Sequence, residues 1–314
     1  MVGDGQAISG SDPAVRWAAS SGRNNTTSVL DTRPEDPTLA ATDPDGPSST
    51  PATRRLALVD THAHLAWPDF VEDLNAVLER ARAAGLDRLL AVGVDQASSA
   101  ASVDLARRNP GVYAAVGLHP NSCGDHEHAF KAVEDLARQN SATAGGPVRA
   151  IGETGLDFYR DRVPAPVQEE SFRRHLVLGA ELDLPVVIHN RQADDAVLRA
   201  LRAAPRGVRG VLHCFSADQA LADAALELGL YLSFAGNLTY RSAQGLRGIA
   251  AGLPADRLLT ETDAPFLPPH PWRGKRNEPA YVAQTLRVLA EARQCDVAEL
   301  ARQVAANARA LFGW

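Results

Sequence analysis

The sequence predicts an α/β fold, a TIM (β/α)8 barrel with a disordered N-terminal extension, and three observations predict it. From Leu56 onward, short apolar runs alternate with helix-period segments about every 25 residues, the pattern of consecutive βα units on a parallel sheet. The alternation repeats eight times in roughly 260 residues, which matches such a barrel in count and size. No GxGxxG or P-loop follows the first apolar run, which sets aside the main competitor, a doubly wound open sheet.

Residues 1–53 read differently from the rest. Gly, Ser, Thr, Asp and Pro dominate, as in Thr42-Asp43-Pro44-Asp45-Gly46-Pro47, and no hydrophobic period is sustained. Such a segment buries too little apolar surface to offset its ordering entropy, so a disordered tail is expected there and one barrel domain over 54–314. Apolar runs bounded by turn residues place strands at 56–60, 88–94, 112–116, 148–152, 185–189, 208–214, 230–235 and 257–261. Between them, 3.6-residue periodicity places helices at 69–84, 97–108, 127–139, 167–182, 194–203, 218–228 and 242–251, and two more, at 278–291 and 296–312, close the chain.

Composition narrows the function classes. The chain has 314 residues, 45% hydrophobic and 22% charged, long enough for a sizeable core. No run approaches the ~18 to 20 apolar residues of a membrane span, and the first 30 residues lack the basic and apolar regions of a secretory signal. Cys123, Cys214 and Cys295 form no CxxC pair, so neither a disulfide framework nor a zinc ribbon is indicated, and a cytoplasmic location is expected. The net charge of −6 argues against broad neutralisation of a long duplex, and seven acidic residues against three arginines in the tail supply most of it. No obligate protein partner is evident.

The chemistry concentrates where strands end. Strand one runs into Asp60-Thr61-His62-Ala63-His64, strand four into Gly152-Glu153-Thr154-Gly155-Leu156-Asp157 and strand five into Ile188-His189-Asn190-Arg191. Strand six contributes His213-Cys214-Phe215-Ser216 and strand eight Glu261-Thr262-Asp263-Ala264-Pro265. In a TIM barrel all these positions converge on the C-terminal mouth, where enzymes of this fold keep their active sites. Residues i and i+2 of an extended strand point the same way, so His62 and His64 can grip one ion. HxH alone is weak, but Glu153, His189, His213 and Asp263 arrive from other strand ends. Six ligands exceed what one catalytic ion with an open position takes, so two divalent ions bridged by a carboxylate are expected. His126, His128 and His175 fall in or near helices and are read as solvated or packing residues, and Cys214 as a small core hydrophobe.

These motifs, with Arg273-Gly274-Lys275-Arg276-Asn277-Glu278-Pro279, resemble the TatD family of metal-dependent hydrolases over about residues 56–314. The resemblance implies a divalent-metal-dependent nuclease of the amidohydrolase-like superfamily, generally a DNase with exonuclease character. Carried over by motif, His62, His64, Glu153 and Asp263 would hold the first metal, and Glu153, His189 and His213 the second. The N-terminal extension departs from the family pattern and touches no motif. Relatives that bridge their metals with a carbamylated lysine fit poorly. Of the two lysines, Lys131 lies in a helix and Lys275 in the loop after strand eight, so Glu153 is the better bridge.

The expected mechanism is hydrolysis by a metal-bridging hydroxide, with Asp263 as proton acceptor and Glu153 as the shared ligand. For substrate, Arg191 sits two residues past His189, while Trp272, Arg273 and Lys275 lie in the loop after strand eight and His119 in Gly117-Leu118-His119-Pro120. Arginine forks suit phosphate oxygens and an aromatic face suits a base, so a 3′-5′ exodeoxyribonuclease acting on DNA ends or short single strands leads. Asp157 is expected to orient a ligand or bound water, with Asn121 beside the substrate. Two alternatives stay open, a D-aminoacyl-tRNA deacylase or other small ester or amide hydrolase using the same metals, and a catalytically idle barrel. The His-rich donor set suits Zn2+ or Mn2+, whereas the resemblance implies Mg2+-supported activity.

Overall fold

The computed structural model describes residues 57–160 and 162–314; the tail expected over 1–53 lies outside them. Eight parallel strands stand in the order of the chain: β1 (Leu58–Ala63), β2 (Leu86–Val92), β3 (Val112–Val116), β4 (Val148–Asp157), β5 (Val186–Arg191), β6 (Gly210–Leu212), β7 (Tyr231–Phe234) and β8 (Leu258–Thr260). The sheet curls until its edges meet. A parallel bridge joins Ala63 to Ala264, the Asp263 amide donates to His62 O at 2.9 Å, and the His64 amide donates to Ala264 O at 2.8 Å. The expected barrel is therefore present, closed between β1 and the end of β8.

Around it run α1 (Leu74–Ala83), α2 (Gln96–Arg108), α3 (His126–Asn140), α4 (Ala165–Leu182), α5 (Asp194–Ala203), α6 (Gln219–Glu227), α7 (Gln244–Gly252), α8 (Val282–Arg293) and α9 (Val297–Phe312). Local sequence starts several of them. Asp95 accepts from the Ser98 amide at 2.8 Å while the Ser98 hydroxyl accepts from the Asp95 amide, a reciprocal cap on α2. Asp218 and Asp296 cap α6 and α9 by accepting from Leu221 and Glu299 amides. The strands between are buried along almost their whole length, as expected for a parallel sheet covered by helices.

Among the boundaries that differ from the sequence reading, three have a clear local reason. Helix α1 begins at Leu74 and not 69, because Pro68–Phe70 forms a separate 3-10 turn that seats Phe70 in the core and Asp73, at φ −135°, stays outside the helix. Strand β6 is only three residues long, because Pro205–Val208 closes as a turn before it and Cys214 adopts φ +45° after it. Strand β4 continues five residues past 152: Thr154, Gly155, Leu156 and Asp157 pair in register with Ile188, His189, Asn190 and Arg191, after a bulge at Gly152-Glu153.

His175 on α4 is a packing residue, as expected. It is fully buried, Nδ1 donates to Ser171 O at 2.7 Å, and Nε2 accepts the Leu118 amide at 3.1 Å, tying α4 to the segment after β3. Burial lowers its pKa from 6.5 to about 4. The unfolded chain therefore takes up a proton here as pH falls below 6.5 while the fold does not, so the fold loses stability down to about pH 4. The expected loss is about 3 kcal/mol. Urea midpoints measured from pH 7.5 to 4 should converge with those of His175→Gln at acid pH; parallel curves would refute the assignment.

Candidate metal centre

At the mouth the strand ends bring six predicted residues together. His62 Nε2 and His64 Nε2 lie 3.1 Å apart, as the i, i+2 spacing required. Glu153 Oε2 is 3.4 Å from His62 Nε2 and 3.5 Å from His64 Nε2, and Asp263 Oδ1 is 3.6 and 3.3 Å from the same two nitrogens. Four ligands on a tetrahedral ion at ~2.1 Å stand about 3.4 Å apart, so the spacing fits a divalent cation. The second cluster uses the other oxygen of the same carboxylate. Glu153 Oε1 is 2.9 Å from His189 Nδ1 and 2.9 Å from His213 Nε2, which are 3.3 Å from each other.

The imidazoles are oriented from behind, as metal-binding histidines are. His64 Nδ1 faces Val92 O at 3.3 Å, His213 Nδ1 faces Glu261 Oε1 at 3.3 Å, and His189 Nε2 faces Asp157 Oδ2 at 3.7 Å. With hydrogen on those outer atoms, each inner nitrogen presents a lone pair. His62 has no such backing, its ring stacking on His213 at 4.0 Å with its buried Nδ1 unpartnered, and His189 Nε2 has only the ion-pair approach of Asp157, without a hydrogen bond.

Glycine makes the placement of Glu153 feasible. Gly152 sits at φ +123°, where a Cβ would stand 2.5 Å from Val187 O, and Gly155 at φ +137°, where a Cβ would collide with His189 O. The bulged strand can thus press against β5 while the carboxylate turns inward.

Electrostatics follow from this crowding. Burial opposes ionisation of Glu153, yet the His213 and His119 imidazoles and the His189 and His213 hydrogen bonds hold its carboxyl well below the usual range. Asp263 is likewise lowered against its burial, chiefly by the His64 hydrogen bond. Burial works against the imidazolium of His213, but Glu153 and Glu261 raise its pKa well above 6.5. An anionic cage surrounded by imidazoles that exchange protons for a cation is the chemistry of a metal site.

Residues 59–313 match the family model described as TatD related DNase. The chain belongs to the TatD family. An uncharacterised metal-dependent hydrolase of Bacillus subtilis is 39% identical over 256 residues, covering 81% of this chain and 98% of that protein. A protein of Erwinia amylovora named 3'-5' ssDNA/RNA exonuclease TatD is 37% identical, covering 82% of this chain and all of that protein. Among solved structures, YJJV, a TatD homologue of Escherichia coli, superposes with a TM-score of 0.76 at 32% identity, over 82% of this chain and 98% of that one. The chain is thus a TatD-type metal-dependent hydrolase.

Around this TatD centre the predicted substrate residues divide. His119 faces Glu153 Oε1 through Nε2 at 3.5 Å, while its Nδ1 accepts the Asn121 amide at 3.1 Å. Nε2 therefore carries the hydrogen, which makes His119 a donor into the site. Burial drives its pKa down to about 3 and keeps it neutral. Arg191 lies at the rim with its guanidinium 3.9 Å over the Tyr159 ring. Trp272 is stacked on Tyr281 at 4.2 Å, Arg273 lies 4.4 Å over Tyr240, and Lys275 is exposed; among the described residues no hydrogen bond or ion pair joins these three to the centre. Arg276 of the same loop is held by Asp73 at 2.7 Å and Glu278 at 3.0 Å.

Two carboxylates of the TatD motifs were not singled out from sequence. Buried Asp60 accepts from the His62 amide, the Thr262 amide and the Thr262 hydroxyl, latching β1 to the end of β8; burial nonetheless lifts its pKa to about 8. Glu261 accepts the Cys214 amide at 2.8 Å and backs His213. Both stand two residues before a predicted ligand, Asp60 before His62 and Glu261 before Asp263. The spacing that paired His62 with His64 therefore carried this signal too.

Proposed function

We propose that this TatD-type hydrolase is a two-metal 3′-5′ exodeoxyribonuclease that removes nucleotides from single-stranded DNA ends. The observation that carries the reading is that Glu153 presents one carboxylate oxygen to each of two ligand clusters. In this reading His62, His64, Glu153 and Asp263 hold one divalent ion, and Glu153, His189 and His213 the other. The activity named for the Erwinia amylovora relative supports the substrate class.

When bound, two such ions supply an acidified water and polarise the phosphoryl oxygen. The chain's own groups do the rest. Asp263, kept ionised, is the carboxylate that accepts the proton of the attacking water. His119 donates its Nε2 hydrogen to a non-bridging phosphate oxygen, a role its neutral ring performs without adding charge. Asp157, Glu261 and Val92 O fix the rings of His189, His213 and His64. Exposed Arg273 and Lys275, with Arg191, give the rim positive charge for an incoming strand, beside Trp272. Mg2+ is the ion of this reading, with Mn2+ or Zn2+ as substitutes the imidazoles also suit. A reducing cytoplasm is its setting, in keeping with three unpaired cysteines, Cys295 among them exposed.

Metal-stripped protein resupplied separately with Mg2+, Mn2+ or Zn2+ tests this on 5′-labelled and 3′-labelled single-stranded DNA. The 5′-labelled strand should shorten one nucleotide at a time, and the 3′ label should leave as a mononucleotide. Protein that binds two ions and leaves DNA intact would overturn the nuclease reading and turn attention to aminoacyl-tRNA esters.

A further inference from the structure

Beside the centre, the rim carries two aromatic rings that the hydrolytic chemistry does not use. Directly after β4 come Phe158, 38% exposed, and Tyr159, 57% exposed; with Val71 they are the exposed large hydrophobics among the described residues. Their backbone is pinned. The Phe158 amide donates to Arg191 O at 2.9 Å, extending the β4–β5 ladder by one step, and Asp157 Oδ1 accepts the Tyr159 and Arg160 amides at 3.1 and 3.0 Å. Arg191 then covers one face of the Tyr159 ring at 3.9 Å. The other oxygen of Asp157 accepts Asn121 Nδ2 at 2.8 Å and faces His189 Nε2 at 3.7 Å. One carboxylate thus sets both a histidine of the centre and the turn that displays the rings.

We propose that Phe158, Tyr159 and Arg191 form a stacking shelf that holds the bases of single-stranded DNA while the terminal phosphodiester lies at the metal centre. The proposal rests on the exonuclease reading and adds to it the residues that position the strand. Every base has a π-face, so aromatic rings bind a strand without regard to sequence, as successive removal of different nucleotides requires. The Arg191 cation adds attraction for the phosphate chain and stiffens the Tyr159 ring. Within a duplex only the end pair exposes a face and successive bases cannot splay onto two rings, which makes the shelf selective for unpaired ends. Trp272, the aromatic at the opposite rim, has one face committed to Tyr281 at 4.2 Å and 5°. Phe158 and Tyr159 are positioning residues, since neither touches the ligand clusters through a described contact.

The test compares wild type with Phe158→Ala/Tyr159→Ala and with Tyr159→Phe, each as the metal-loaded full chain. Substrates are a 12-mer of single-stranded DNA and bis(p-nitrophenyl) phosphate, which carries no nucleobase. In the double variant KM for the 12-mer should rise about tenfold or more, with kcat and turnover of the small diester within about twofold of wild type. Tyr159→Phe, which keeps the ring, should retain the wild-type KM. An unchanged KM in the double variant overturns the shelf alone, and so does an equal loss on both substrates, which would make the rings part of the centre's support. Wild type that hydrolyses the small diester but spares the 12-mer overturns the exonuclease reading and the shelf with it.

Discussion

Glu153→Gln should lower hydrolysis by about a thousandfold or more and leave fewer than two ions per chain by elemental analysis. The substitution keeps shape and changes chemistry. An amide offers one oxygen and one NH2 group, so whichever way it turns, one cluster meets a donor where it needs a lone pair. The affected side is either Oε2, facing His62 and His64, or Oε1, facing His189 and His213. Loss of the charge also strips His213 of the neighbouring anion that does most to raise its pKa. Two ions retained with near-normal turnover would show that Glu153 does not bridge the clusters.

Gly155→Ala should be nearly as damaging to activity while acting through the backbone. The new methyl group would collide with His189 O at a φ of +137° that side chains rarely adopt, so β4 must withdraw from β5 or rotate. Strain of this kind costs about 3 kcal/mol, roughly 6 to 12 °C in melting temperature for a domain of this size. Glu153 and His189 would separate as the strands do, so folded protein at low temperature should still lose most of its turnover. Melting by circular dichroism together with turnover of a small phosphodiester at 15 °C checks both halves. A variant with normal melting and activity would mean that the β4–β5 contact is softer than its geometry indicates.

Much of the fold was legible because a parallel barrel writes itself in simple periods. Runs such as Val186-Val187-Ile188 are buried on both faces, and the amphipathic spacing of α5 or α9 follows from one face on the sheet. The six residues of the centre were legible for a related reason: a polar side chain ending an otherwise apolar strand has to be explained by something outside the core. What escaped the sequence reading depends on partners distant in the chain. Nothing local to Arg276 announces Asp73, and nothing in Trp272 announces Tyr281. The extension of β4 through Asp157 escaped because Gly152 and Gly155 look like strand breakers, and only the approach of β5 shows that they permit pairing. Tyr159 and Arg191, 32 positions apart, meet only because β4 and β5 are neighbours in register.

The latch between the first and last strands has a consequence for how this protein acquires its activity. Asp60 and Thr262 are 202 positions apart, and beside them His62 O receives the Asp263 amide and Ala264 O that of His64. His62 and His64 therefore meet Asp263 only when nearly the whole domain has been synthesised and the sheet has joined end to end, a contact of very long sequence separation. A nascent or partly opened chain keeps most of its paired strands yet lacks one wall of the centre. Such a chain lacks the assembled centre, so hydrolysis is withheld until the ring of strands is complete.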